Sequence, residues 1–398
     1  MMNTLEGRDI VIVGLQPWDT AIGSNCKNIA LEFSKNNRVL YVNSPLDRIT
    51  KVRRSSEPAI QKRIAILEGE LENLELVAPN LWVYYPDVVI ESINWLRLEF
   101  LFDFLNKANN KMIARSIRKA LVKLNFVEII LFNDNDIFRS FYLKDYLRPS
   151  VSVYYSRDYL LGVNYWRRHG TRLEPQLMAK SDICVANSSY LTDLCRIHNQ
   201  KSFYVGQGCE VELFLNAYQE PIPSDMVDIQ GPIIGYIGVL ETLRLDIEII
   251  DFVARQKPDW NIVLVGPEGL EFRNSKLHQL DNVFFLGAKD PLDLPAYVNG
   301  FSVCINPQIV NDVTIGNYPR KIDEYLAAGK PVVATRTKAM DVFEDYCFLA
   351  NNKEEYVEFI QKALEENRAE LSLVRKEFAS THTWENSVNE IYKSILNS

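Results

Sequence analysis

GNYPRKIDEYLAAGKPVVAT, residues 316–335, contains a helix and a strand with their boundary signals intact. Pro319 suits the first turn of a helix, Gly329 suits its left-handed stop, and Pro331 opens a short β-branched strand. Within the helix Ile322, Tyr325 and Leu326 fall at i, i+3 and i+4, an apolar face for packing on a sheet. Lys321 and Glu324 lie three apart on the neighbouring edge, so a cation and a carboxylate project together just beyond a loop. Such a pair suits a phosphate and a ribose hydroxyl. Taken alone, it suits a surface ion pair on an amphipathic helix equally well.

The residues around this stretch alternate between strand and helix patterns. Strands are expected at 232–237, 260–265, 283–286, 302–305 and 331–334, with helical stretches between them. That order predicts a parallel sheet with right-handed crossovers. The strand exits are then 238–244, 266–271, 287–291 and 306–318, all opening on one edge of the sheet. A ligand there meets the backbone of Gly238, Gly266 and Gly287, the side chain of Arg244, and the helix holding Lys321 and Glu324.

The first half has the same grammar. DIVIVG at 9–14 reads as a buried parallel strand emptying into a loop, followed by a helix at 25–33 and a strand at 38–42. It lacks the G-x-G-x-x-G spacing, so an NAD site is not expected. Further strands fall at 128–132, 150–155, 182–187 and 202–205, with helices at 173–180 and 188–197, the latter capped by Ser188 or Ser189. The NDND run at 133–136 reads as a loop with solvated acids. Asp158, with Ser156 and Arg157, ends the 150–155 strand where side chains line the crevice of an open sheet, which makes it a site candidate. Capping a turn or pairing with Arg157 would explain it as well. Proline and glycine between 206 and 231 mark the linker.

At 398 residues, two domains of roughly 150 to 200 residues are expected. Cutting after Leu215 gives 27 Lys+Arg against 24 Asp+Glu in 1–215, a charge of +3, and 17 against 28 in 216–398, a charge of −11. The acidic second half argues against nucleic-acid binding. Six scattered cysteines with no C-x-x-C pair and four dispersed histidines indicate neither a disulfide framework nor a zinc site. No apolar run reaches bilayer length and no signal pattern opens the sequence, so a cytoplasmic protein is expected. Residues 48–63 carry six positive charges and one negative, and apolar residues crowd 93–105 just before a basic helix that reaches Lys123. Both segments suit contact with an anionic membrane surface on the cytoplasmic face, although a core helix followed by a solvated one has the same pattern.

Two successive βα halves, the glycine-rich exits and the run PRKIDEYLAAGKPVVAT resemble the GT-B glycosyltransferases, within them the bacterial envelope-polysaccharide branch of teichuronic acid type. The matching pieces include YYSRD at 154–158, NSSYL at 187–191, GQGCEVELF at 206–214, GYIG at 235–238, VGPEG at 265–269 and FFLGAKDPLDLPAY at 284–297. The resemblance implies two Rossmann-like, doubly wound α/β domains facing a cleft. Residues 1–215 would bind the acceptor and 216–380 the nucleotide sugar, with a last helix in 381–398 returning to the first domain. It further implies that Glu324 binds the ribose, that Thr314, Gly316, Asn317 and Lys321 hold the diphosphate, and that Gly287 and Ala288 meet the base. Asp158 would serve as general base toward the acceptor hydroxyl.

The implied activity is sugar transfer from a nucleotide-diphosphate donor, UDP-linked, to a glycan or lipid-linked acceptor. No metal or other cofactor is implied, because no D-x-D ends a strand of the donor half. Two departures stand out. The position eight before Glu324, where many relatives carry a second acid, is Gly316, and the exit ETLRLD supplies Arg244 without a partner lysine. The second diphosphate cation then falls to Arg320 or Lys321. The missing acid also leaves open a catalytically silent subunit that binds a partner protein or a glycan. A nucleotide-sugar epimerase on the same fold would need a histidine in the cleft, which the dispersed histidines do not suggest.

Overall fold

A computed structural model describes residues 5–20 and 24–397. The chain forms two units. One comprises residues up to Gly206 together with those from Ser387 onward, and the other is Gln207–Asn386. The division falls nine residues before the expected cut at Leu215, because the short helix Glu212–Leu215 packs Phe214 into the core of the second unit.

The first unit carries β1 (Asp9–Gly14), β2 (Arg38–Val42), the short β3 (Leu46–Asp47), β4 (Leu74–Ala78), β5 (Leu81–Tyr84), the short β6 (Val89–Ile90), β7 (Ile130–Asp134), β8 (Val151–Ser156), β9 (Ile183–Ala186) and β10 (Ser202–Tyr204). Eight of these form one sheet in the order β10-β9-β8-β7-β1-β2-β5-β4, parallel except for the β4–β5 hairpin at its edge. Both faces are buried because successive residues go to opposite sides. Val11 and Val13 pack beneath Ile113 and Ile117 of the helix Glu99–Leu124, while Tyr154 and Cys184 pack beneath Leu173 and Leu177 of the helix Asn164–Lys180. The basic segment from Arg48 forms two helices, Arg48–Arg53 and Pro58–Glu68. The last helix, Trp384–Leu396, gives this unit Tyr392, whose ring stacks on Phe33 at 5.5 Å and whose hydroxyl accepts a 3.0 Å hydrogen bond from Asn37.

The second unit holds β11 (Ile233–Ile237), β12 (Asn261–Val265), β13 (Val283–Gly287), β14 (Val303–Asn306), β15 (Val332–Thr335) and β16 (Phe348–Ala350). They form one parallel sheet in the order β13-β12-β11-β14-β15-β16. Ile233, Val263 and Val332 enter one core and Ile234, Ile262 and Val333 the other. In each unit the strand order reverses beside its first strand, at β1/β7 and at β11/β14. A crevice outside the carboxyl ends of the strands is expected at those two points.

Candidate functional site

Glycine fixes how the exits of the second unit lie together. Gly238, Gly266 and Gly287 have φ of +146°, +148° and +69°. The Gly238 amide donates to the Val265 carbonyl at 2.9 Å and the Gly266 amide to the Gly287 carbonyl at 2.8 Å. A Cβ on Gly266 would stand 1.9 Å from the Gly238 carbonyl oxygen, so only glycine allows this approach. The β14 exit is tied to the β11 exit by Ile309 N–H donating to Arg244 O at 2.9 Å and Asn311 Nδ2 donating to Leu243 O at 2.9 Å. All four expected exits thus share one sheet edge.

The helix Lys321–Ala327 leaves the β14 loop and docks at the tip of β11. The Ile237 amide donates to the Tyr325 hydroxyl at 2.8 Å, and Ile322, Tyr325 and Leu326 are fully buried. Gly329, φ +75°, ends the helix, where a Cβ would meet Ser372 Oγ at 2.0 Å. Lys321 Nζ donates to the Tyr236 hydroxyl at 2.5 Å and lies 4.1 Å from that ring's centroid, 2.8 Å from where a Gly238 Cβ would be. An ammonium has three N–H donors, so others remain for a ligand. One turn on, the Glu324 carboxylate accepts no hydrogen bond from the described residues, and burial raises its pKa against the opposing pull of Arg320 and Lys321. Arg320 Nε is buried without a partner, and Arg244 is exposed and forms no ion pair among the described residues. Lys321, Arg320 and Glu324 therefore come together at the switch point. Arg244 stands on the β11 exit and Ala288 is exposed beside Gly287.

Thr314 is a builder of the β14 loop rather than an open donor. Its amide donates to Asn311 Oδ1 at 3.1 Å, its hydroxyl to the Ile309 carbonyl, and its carbonyl accepts from Gln308 Nε2 at 3.1 Å. The Asn317 amide is likewise spent on Thr314 O at 3.0 Å, which leaves its side chain as the available group, and Gly316 is buried. The expected diphosphate contacts at Thr314 and at the Asn317 amide therefore require this loop to open.

A second constellation on the same helix had no signal in the sequence. Asp323, fully buried, accepts from His382 Nδ1 at 2.6 Å and from the Cys209 thiol at 3.1 Å, and the Tyr318 hydroxyl is 3.1 Å from the same imidazole nitrogen. Burial first, then Asp323, pushes the Cys209 thiol well up. The partners are 59 and 114 residues from Asp323, too distant for any spacing rule to connect.

In the first unit Asp158 stands at the end of β8, as expected, but Arg157 Nη1 holds its Oδ2 at 2.7 Å. Arg157 is largely buried and also binds Asp134 Oδ1 at 2.8 Å, so it bridges two carboxylates. The ion pair, not an open general base, is what this geometry favours. The NDND run is a correction. Its acids are not solvated: Asp134 is fully buried beside Gly14, and Asp136 caps Phe138 and Arg139 and pairs with Arg139 at 2.7 Å. Buried carboxylates need such partners. All six cysteines are buried and free. Among the described residues no group of three His, Cys, Asp or Glu is placed to hold a metal ion, and no helix is long and apolar enough to cross a membrane.

Two successive α/β units, each with a mainly parallel sheet whose strand order reverses beside its first strand, have the architecture of the GT-B class of fold. Solved structures of that class superpose along nearly the whole chain. The sucrose-phosphate synthase of Thermosynechococcus elongatus has a TM-score of 0.66 at 16% identity, covering 98% of this chain and 99% of that one. The Anabaena protein HepE, in complex with UDP, has a TM-score of 0.66 at 15% identity, covering 98% and 99%. At such identities the likeness shows the fold. Residues 231–366 match the family described as glycosyl transferases group 1, so the chain carries a group 1 glycosyltransferase domain. A Bacillus subtilis protein named as a teichuronic acid biosynthesis glycosyltransferase is 29% identical over 234 residues, 56% of this chain and 58% of that relative. The alignment thus spans a little more than half of that protein's length.

Proposed function

We propose that this chain is a glycosyltransferase that moves a sugar from a UDP-linked donor to a glycan or lipid-linked acceptor in cell-surface polysaccharide synthesis. The observation that carries this is the placement of Lys321, Arg320 and Glu324 on one short stretch at the β11/β14 switch point. Departure of a nucleoside diphosphate leaves negative charge on its oxygens. Lys321 and Arg320 stabilise it, and the unpartnered Glu324 carboxylate receives a ribose hydroxyl. Gly287 and Ala288 offer backbone to the base. HepE, solved with UDP, supports the choice of nucleotide, and the teichuronic acid relative supports the cell-surface role. Side-chain cations do the neutralising, so turnover is expected to persist in chelator.

Slow UDP release from a panel of UDP-sugars tests the reading, with Glu324→Ala expected to abolish it. If no nucleotide shifts the melting temperature of the wild type, the donor site is wrong and the silent-subunit alternative, which the glycine at 316 keeps open, takes its place. We also propose peripheral membrane contact through 48–63 and 93–123. Trp95, Leu98, Phe100 and Phe104 are 58–73% exposed, and Lys107, Lys111 and Arg115 behind them form no ion pair among the described residues.

A further inference from the structure

A polar pocket of about 230 Å³ lies in the second unit, where the helix Lys321–Ala327 ends and the helix Ala369–Ser380 begins. Gly329 forms part of its wall, and a Cβ there would stand 2.0 Å from Ser372 Oγ and 3.0 Å from Lys376 Cε, so glycine is what leaves these side chains their place. Lys330, Arg368 and Lys376 bring three cations to the wall, and no Asp or Glu lines it. Segment 216–398 has a net charge of −11, so the cluster runs against the charge of its own surroundings.

None of the three forms an ion pair among the described residues. Lys330, half-buried, donates to the Asn299 carbonyl at 2.7 Å, and Lys376 donates to the Leu215 carbonyl at 3.3 Å. An ammonium has three N–H donors, so each keeps others for a ligand. The Arg368 guanidinium is exposed and makes no hydrogen bond among the described residues, which leaves its whole fork available. Burial first, and Lys376 beside it, hold the Lys330 ammonium below the ordinary lysine range against the opposing pull of Cys304. Behind the wall Arg375, 7% exposed, adds a fourth positive charge that meets only the Gly329 carbonyl and the Asn367 side-chain oxygen. Like charges gathered in this way destabilise one another, and an anion between them removes the repulsion. The volume lies below the roughly 300 Å³ at which drug-sized sites begin, which suits a single anionic group rather than a nucleotide. A guanidinium fork matches the oxygens of phosphate, and the Ser372 hydroxyl, without a hydrogen bond of its own among the described residues, offers a neutral donor beside it.

We infer that this pocket is a binding site for a phosphate group, separate from the donor crevice, in which Arg368, Lys376 and Lys330 neutralise the charge and Ser372 donates a hydrogen bond. No residue of the strand exits 238–244, 266–271, 287–291 or 306–318 lines it, so the inference does not rest on the glycosyltransferase reading. Isothermal titration calorimetry of the full chain with inorganic phosphate, at fixed ionic strength and with UDP at saturation to keep phosphate away from Lys321, tests it. One phosphate per chain is expected to bind, and Arg368→Gln and Lys376→Gln are each expected to weaken it about tenfold while UDP affinity stays unchanged. Arg368 makes no contact that folding needs, so its variant keeps the test interpretable if Lys376→Gln does not fold. A second titration with monomeric dihexanoyl phosphatidic acid separates the sources of the group. Binding at least about tenfold tighter than phosphate assigns a lipid headgroup and anything weaker a dissolved ion, and both support the site. The inference is overturned if millimolar phosphate gives no binding in the wild type, or if both variants bind it as the wild type does. A wild type that fails to bind UDP counts against the donor site only, because the Arg368 variant still distinguishes this pocket from Lys321.

Discussion

Gly266→Ala and Gly287→Ala make the same chemical change on the same sheet edge, and the structure assigns them different costs. At Gly287, φ is +69° and a Cβ meets nothing within 4 Å, so the cost is that of a left-handed alanine, about 1–2 kcal/mol, partly offset by the lower entropy of the unfolded chain. At Gly266, φ is +148° and the Cβ would lie 1.9 Å from the Gly238 carbonyl oxygen. Backbone strain of about 1–3 kcal/mol is joined by an overlap that is relieved only by moving the β11 exit, another 1–3 kcal/mol or so. The total is about 4 kcal/mol against about 1. In a domain of this size each kcal/mol moves the melting temperature by about 2–4 °C, so calorimetry should find Gly266→Ala lowered by about 12 °C and Gly287→Ala by about 3 °C. UDP affinity should fall in the first variant, since the displaced loop carries Gly238 beside Lys321. Equal melting temperatures for the two variants would refute the account of how the exits are held together.

Other perturbations reach further into the chain. Burial raises the Glu174 pKa to about 7 although the Tyr154 hydroxyl donates to it. A buried acid with a raised pKa binds its proton more tightly folded than unfolded. Stability is then greatest near and below the unfolded value and falls as pH rises toward 7, by up to about 3 kcal/mol. Denaturant titrations between pH 5 and 8 should show this decline in the wild type and lose it in Glu174→Gln. For the membrane contact, replacing Lys107, Lys111 and Arg115 by alanine removes about 1 kcal/mol each, so partitioning onto anionic vesicles should drop by about a hundredfold at low salt. Failure of the wild type to float with such vesicles would reject the surface.

Legibility in the sequence followed the range of the interactions. Each strand of 232–334 is placed within a residue or so of its observed bounds, because short β-branched or aromatic runs, three of the five ending in glycine, are local signals. The β4–β5 hairpin was not legible. Its turn uses Asn80 at φ +60°, and Leu76 and Val77 on the edge strand are exposed, so no apolar alternation marks it. At the site, Lys321 and Glu324 were legible as neighbours on one helix. The Tyr236 hydroxyl beneath Lys321 and the Asp323–His382 pair were not, since they join residues 85 and 59 apart. Asp158 was found at the right strand end, but the bridge Arg157 makes to Asp134 comes from a strand register that a single sequence does not specify.

The closing helix has a consequence for how the protein comes into being on the ribosome. Gln207–Asn386 is one uninterrupted segment whose core is complete once that segment has emerged. The first unit is synthesised first yet lacks Val388, Ile391 and Tyr392, all buried, until the last helix is made. Phe33 and Asn37 wait some 355 residues for their partner. The nascent chain therefore finishes its second unit before its first, reversing the usual N-terminal-first order of folding during synthesis.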